Sequence, residues 1–285
     1  MVHLLGGVSP DEQPISDKPT NWQFDFVREI GQQEYDAVLQ ARVCLHQFQR
    51  EISLYNIFIS SYEELKSFSE SATQHLLYRD SSIDMDNVIE GMDARLMALF
   101  SHFKTFLEYW KEKFKAINRT YYSSASQRHL RNNKSYRICY HLRNYAQHYG
   151  SPLVNCVIKS SPRLVDIHFS MSKQNVLQAS LRHWDTKQAD LHEEPNQIRL
   201  EPYLEELRNC VKQMHTDFIR YDSETVLSYF STLSRLYAEV QAAFPNTYPW
   251  VLSRDSGGVT LQIIDVPLRH LETVRMAQVI LDAPQ

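Results

Sequence analysis

Glycine is scarce in this 285-residue chain, at 7 residues, and proline is moderate at 11. Because a sandwich of many short strands needs many tight turns, this scarcity argues against a turn-rich all-β fold and favours helices. The four cysteines, at positions 44, 139, 156 and 210, are scattered, with no pair two to four residues apart. They predict no structural zinc site, and a chain of this size needs no disulfides, so we expect a reducing compartment.

Long apolar runs are also missing. No stretch approaches the roughly 18 apolar residues of a membrane-spanning helix. The first eight residues lack the basic start and the sustained apolar region of a secretory signal. We therefore expect a cytoplasmic protein with no membrane partner. With 43% hydrophobic and 22% charged residues, the composition predicts a folded chain.

Apolar residues recur at three- and four-residue spacings through most of the chain, which is typical of amphipathic helices. The polar residues 1–22 predict a flexible tail, after which helices begin. Gly150 and Pro152 form a stop signal after the fourth helix. The predicted helices cover about 38–59, 62–77, 84–117, 127–149, 203–221, 223–244 and 268–281.

The helical pattern gives way to alternation of apolar and more polar residues over 154–158 and to strict alternation over 165–171, and a second pair of short apolar runs flanks residues 255–258. Two small β-hairpins are expected, and their similar lengths would allow them to pair in one sheet. The predicted fold class is mainly α. A helical bundle core covers residues 23–150, and an α+β part with hairpins and helices, residues 151–285, packs on it.

The net charge of -4 conceals a segregation of charge along the chain. Residues 104–143, here called the basic segment, contain ten lysines and arginines against two glutamates, a net charge of +8, so the other 245 residues carry -12. Basic residues interleaved with aromatic ones are typical of surfaces that bind RNA. An alternative is a solvated helix end, because Lys111, Lys113 and Lys115 would complement the C-terminal dipole of their helix.

The clearest chemical pattern is Arg143-Asn144-x-x-x-His148. An arginine and a histidine separated by four to six intervening residues occur four times in the chain, and Asn directly follows the arginine in two of these matches. The other match with Asn, at residues 208–215, lies in a charge-balanced amphipathic stretch that explains it as an ordinary helix. Arg143 and His148 instead end the basic segment just before a helix stop, where side chains can face a cleft.

This pattern resembles the Arg, four to six residues, His signature of the HEPN superfamily, helical domains that include many RNA-cutting toxins and defence proteins. The resemblance implies an HEPN-like bundle with metal-independent endoribonuclease activity and no cofactor. It also implies a homodimer, RNA as substrate, and an antitoxin or phage-defence partner. His148 would transfer the proton of the attacking 2′-hydroxyl, and Arg143 would stabilise charge on the phosphate. Asn144 would orient the phosphate or the histidine.

Helical geometry separates the arginine from the histidine. At 100° per residue, Arg143 lies about 140° from His148, whereas Arg137, His141, Asn144 and His148 fall within about 60° of one another. Convergence requires an arginine side chain that wraps round the helix, a distorted helix, or a second copy of the chain, which the resemblance favours. The residues expected to bind substrate are Arg137, His141, Lys111, Lys113, Lys115, Arg119, Arg128, Arg131 and Lys134.

Two other functional classes stay open. One is a non-catalytic helical module that binds nucleic acid or a partner protein through the basic segment. The other is a purely structural interaction protein. No metal site is predicted, because neither His192-Glu193-Glu194 nor Asp166-x-His168 has a third ligand at a suitable spacing.

Overall fold

A computed structural model describes residues 2–9, 23–77, 84–149, 154–161, 164–179, 189–245, 247–255 and 258–263. These ranges contain seven helices and seven strands, and the chain is mainly helical, as predicted. The helices are α1 (Gln32–Leu77), α2 (Met85–Ile117), α3 (Arg119–Asn132), α4 (Lys134–Tyr149), α5 (Lys173–Ala179), α6 (Ala189–His192) and α7 (Glu201–Ala243). The strands are β1 (Val2–Ser9), β2 (Gln23–Ile30), β3 (Val154–Ser161), β4 (Leu164–Ser172), β5 (Gln197–Arg199), β6 (Tyr248–Asp255) and β7 (Gly258–Ile263).

The strands form two antiparallel sheets, with the orders β2-β1-β6-β7 and β3-β4-β5. Both predicted hairpins are present, as β3–β4 and β6–β7. The prediction that they could pair in one sheet is wrong, because the two hairpins belong to different sheets. Strand β1 pairs with β6, and β5 pairs with β4.

Strand β1 lies within the stretch predicted to be a polar tail, whose residues 10–22 lie outside the described ranges. Strand β1 contains two glycines, Gly6 and Gly7, and both lie close to atoms of neighbouring residues. A Cβ added to Gly6 would come within 2.1 Å of the Asp25 carbonyl oxygen and 2.4 Å of the Trp250 ring. One added to Gly7 would come within 2.3 Å of the Thr247 hydroxyl oxygen. The glycines therefore allow close packing of β1 rather than flexibility.

The helix boundaries differ from the predicted ones in three places. The first two predicted helices are the continuous α1, and those over 203–221 and 223–244 are the continuous α7. The fourth begins earlier and is divided at Asn133. The Asn118 side chain accepts from the Tyr121 amide at the start of α3, and the Asn133 side chain accepts from the Tyr136 amide at the start of α4. Each asparagine therefore caps a helix. The predicted helix over 268–281 lies outside the described residues.

The chain divides into two compact units, one of residues 1–52 with 218–285 and the other of residues 53–217. The predicted boundary at residue 150 does not coincide with this division, since α1 and α7 each contribute to both units. The unit of residues 53–217 carries the predicted site. Its fully buried aromatic core contains Phe58, Phe100, Phe103, Phe106, Trp110, Phe114 and Tyr136. Among the described helices, none is both long enough and apolar enough to cross a bilayer.

Candidate functional site

Helix α4 carries the three residues predicted to be catalytic. Its apolar face is completely enclosed, with Ile138, Cys139 and Leu142 at most 1% exposed. The Asn133 cap fixes its first turn, and the Asn133 side-chain amide also donates to Glu206 at 2.5 Å. The helix therefore presents its polar side chains from a rigid base.

Arg143 is buried, with 8% of its surface exposed. Its Nε and Nη2 donate to Asn144 Oδ1 at 3.2 and 2.6 Å. The guanidinium carbon lies 4.4 Å from the centroid of the Tyr140 ring and 5.9 Å from that of Phe103. Within the described part of the chain, no carboxylate pairs with this cation. An amide oxygen and two aromatic faces compensate for the water that the charge has lost.

These contacts direct the guanidinium toward the polar stripe of α4. Asn144 lies about 40° from His148 around the helix, and Tyr140 lies about 40° from Asn144 on the other side. Since the guanidinium contacts both Asn144 and Tyr140, the Arg143 side chain extends from its own backbone position toward the stripe that holds His148. This direction is the one that the first of the three arrangements, a wrapped arginine side chain, requires.

The two stripe histidines differ in exposure. His148, in the last turn of α4, is exposed. His141 is 8% exposed and meets the Tyr140 ring edge-on at 5.6 Å. An exposed imidazole can reach a substrate from solvent, whereas His141 is part of the packing around Tyr140.

Several cations of the basic segment form ion pairs with acidic residues that follow it in the chain. Lys134 Nζ lies 2.9 Å from Glu193 and 2.8 Å from Glu194. Arg137 Nε and Nη2 donate to the Asp190 carboxylate at 2.6 and 2.9 Å. This bidentate bond holds the pKa of Asp190 below its usual value. The structure therefore favours a structural role for Lys134 and Arg137 over a direct role in substrate binding.

The other predicted substrate-binding residues lie in α2 and α3. Lys111 and Arg131 are exposed, and Lys113 lies 4.9 Å from the centroid of the Trp110 ring. Lys115 lies 3.4 Å from Glu112, and Arg128 lies 3.7 Å from Asp217. Arg119 is the first residue of α3. Pairing with acids thus reduces the open basic surface that the charge count suggests.

The second Arg-Asn match is packed inside the unit. His215 is 4% exposed and stacks on Tyr55, with ring centroids 4.1 Å apart. Both of its ring nitrogens are buried, and neither has a hydrogen-bond partner among the described residues. Burial lowers the pKa of His215 to about 3. Its burial and its neutral ring are incompatible with proton transfer to a substrate near neutral pH.

Tyr140 and Phe103 are contacts of Arg143 that the sequence analysis does not predict. The signal for Tyr140 is its position three residues before Arg143 on a helix, which places the two side chains on adjacent turns. Phe103 lies on α2 and has no comparable local signal.

A cavity of about 630 Å³ lies at the start of α4, at the opposite end from His148. Lys134, His168, Arg199 and Tyr203 contribute to its lining. Its two cations are paired with carboxylates, Lys134 with Glu194 and Arg199 with Glu201. Among the described residues, no group of three potential ligands could hold a metal ion.

Comparison of the chain with models of protein families, with curated proteins and with solved structures finds no similar protein.

Proposed function

We propose that the protein is a metal-independent, HEPN-like endoribonuclease of the toxin or phage-defence type that acts on RNA in the cytoplasm as a homodimer. The observation that supports this function most is the environment of Arg143. This cation is enclosed with an amide and aromatic rings rather than with a carboxylate, and it extends toward the stripe of the exposed His148. A cation that has no carboxylate partner among the described residues keeps its net charge and is suited to bind a phosphate.

In the proposed reaction, the ribose 2′-hydroxyl oxygen attacks the adjacent phosphorus, and the 5′-oxygen leaves. His148 transfers protons to or from these oxygens as a general base and acid. Arg143 stabilises the charge that develops on the phosphate oxygens, and Asn144 holds the guanidinium in place. The products are a 2′,3′-cyclic phosphate end and a 5′-hydroxyl end.

A second candidate is a helical module that binds RNA or a partner protein without cleaving it. The 8% exposure of Arg143 favours this function, because a largely enclosed guanidinium contributes to packing. The exposed Lys111 and Arg131 would then contact phosphates.

His148→Ala separates the two functions, and the matched control is His75→Ala, which removes another exposed histidine of the same unit. Cleavage of a labelled single-stranded RNA is measured in EDTA, and binding is measured by fluorescence anisotropy. We expect His148→Ala to lower the cleavage rate about 100-fold or more while RNA affinity stays unchanged. His75→Ala should match the wild type.

Equal cleavage by His148→Ala and the wild type would refute the catalytic assignment. Binding without cleavage by the wild type would establish the second candidate. Mass spectrometry of the product ends checks the chemistry, since a 3′-hydroxyl end would contradict attack by the 2′-hydroxyl.

A further inference from the structure

We propose that Tyr140 is a positioning residue of this site, whose ring holds the Arg143 guanidinium so that its Nη1 edge is available to a phosphate. The inference rests on the proposed function and names a residue that the Arg-Asn-x-x-x-His pattern does not include.

The hydrogen bonds of Arg143 leave one edge of its guanidinium without an acceptor. Of its five N–H donors, only those on Nε and Nη2 meet an acceptor, Asn144 Oδ1. In the described part of the chain, Nη1 has no acceptor, and it is not among the buried nitrogens that lack a partner. Nη1 therefore retains contact with solvent, and its two N–H groups can donate to an incoming oxygen.

Tyr140 contacts the Arg143 guanidinium through the face of its ring, and such a contact leaves the N–H groups of Nη1 able to donate to another acceptor. A carboxylate partner would accept the in-plane N–H groups and neutralise the charge. An aromatic ring attracts the cation through its face and accepts none of the in-plane donors. The Tyr140 ring, at 4.4 Å, is the closer of the two rings to the guanidinium carbon, since Phe103 lies at 5.9 Å.

The geometry also indicates that Tyr140, rather than Phe103, determines the direction of the Arg143 guanidinium. Tyr140 is half-buried on the polar side of α4, next to the Asn144 and His148 stripe, whereas Phe103 is completely buried in the core. Tyr140 and Asn144 lie one turn apart, so they contact the guanidinium from successive turns. Loss of the ring would leave Arg143 with more rotamers and with one fixed contact on α4.

The test compares Tyr140→Leu, which removes the ring, with Tyr140→Phe, which retains it. The matched control is Tyr109→Leu, which removes a half-buried tyrosine of α2 that contacts Trp110. Cleavage kinetics give kcat and KM. Affinity is measured with an RNA that carries a 2′-deoxyribose at each position of cleavage, and thermal melting checks the fold of every variant.

We expect Tyr140→Leu to weaken RNA affinity and to lower kcat/KM, each by about 2- to 30-fold, the range of a cation–π contact. Tyr140→Phe should rescue both values relative to Tyr140→Leu, and Tyr109→Leu should match the wild type. Equal affinity and equal kcat/KM of Tyr140→Leu and Tyr140→Phe would overturn the inference, while cleavage by the wild type would still support the proposed function.

If the wild type binds RNA without cleaving it, the nuclease function fails, and the difference in affinity between Tyr140→Leu and Tyr140→Phe still decides the role of Tyr140. A loss of affinity in Tyr109→Leu equal to that in Tyr140→Leu would overturn the inference, since the effect would then be one of general packing.

Discussion

Replacing His215 with phenylalanine is expected to remove a large part of the pH dependence of stability between pH 7 and pH 5. The wild-type imidazole is stacked on Tyr55, and in the part of the chain that the structure describes neither of its nitrogens has a hydrogen-bond partner. Phenylalanine retains a flat ring in this position and has no buried nitrogen. We therefore also expect the variant to be at least as stable as the wild type at pH 7.

The magnitude follows from the two pKa values of His215. Burial lowers the pKa to about 3 in the folded protein, from an ordinary value of 6.5. A group whose pKa is lower in the folded state contributes its full stability above the unfolded pKa and loses it as the pH falls toward the folded pKa. At pH 5, which is about 1.5 below the unfolded pKa and above the folded pKa, His215 is protonated in the unfolded chain and neutral in the folded one. This protonation stabilises the unfolded chain and lowers the free energy of unfolding by about 2 kcal/mol.

The assay is urea unfolding at pH 7, 6 and 5, followed by circular dichroism. His129, whose pKa burial also lowers, contributes in the same direction in both proteins. The difference between His215→Phe and the wild type therefore isolates His215, and it should grow by about 2 kcal/mol from pH 7 to pH 5. His75→Gln, at an exposed position, is the control. A difference that stays constant across this range would refute the reasoning.

Three further predictions concern the sheet, an ion pair and the basic segment. Gly6→Ala should lower the free energy of unfolding by about 2 kcal/mol, because the new Cβ would lie 2.1 Å from a backbone oxygen, whereas Gly31→Ala, with no atom within 4 Å, should have little effect in the same denaturation assay. Asp190→Asn should cost about 1 kcal/mol at pH 7 by weakening the bidentate pair with Arg137. Since the pKa of Asp190 is lowered in the folded state, this difference should disappear as the pH falls through that pKa, and a difference that persists in acid would contradict it. Reversal of three charges on α2 should weaken RNA binding and reduce the slope of log affinity against log salt concentration by about 2. An unchanged slope would exclude contact of these side chains with phosphates. The three substitutions are Lys111→Glu, Lys113→Glu and Lys115→Glu, and Lys212→Glu is the control for a reversed charge in the same unit but outside the basic segment.

Local patterns in the sequence were sufficient to predict several elements. Helix α2 was expected over residues 84–117 and begins at Met85, because an apolar stripe continues along it and the Asp84 side chain accepts from the Asp86 amide as its cap. The first hairpin followed from alternating polarity, and the second from two apolar runs on either side of the turn residues 255–258. The arrangement of strands in sheets was not predictable in this way, because the partners of β1 and β5 lie far from them in the chain.

The side-chain contacts of the candidate site were likewise not predictable from local patterns in the sequence. The Arg143, Asn144 and His148 pattern identifies a candidate site, but the hydrogen bond between Arg143 and Asn144 depends on side-chain rotamers that spacing does not determine. The charge count failed for a different reason. It sums charge along residues 104–143, whereas the fold places Asp190 and Glu194 against Arg137 and Lys134. In the folded chain, acidic residues from outside the basic segment therefore lie beside some of its cations and neutralise part of its charge.

The pairing of β1 with β6 also bears on synthesis of the chain at the ribosome. Leu4 is the partner of Leu252, so almost the whole chain must be made before this pair can form. At about 5–20 residues per second, the wait is roughly 12–50 s. Strand β1 can pair with β2 during that time, but its other edge has no strand of its own sheet to bind. The nascent protein thus carries an open β edge, a template for wrong pairing between chains, until its C-terminal hairpin emerges.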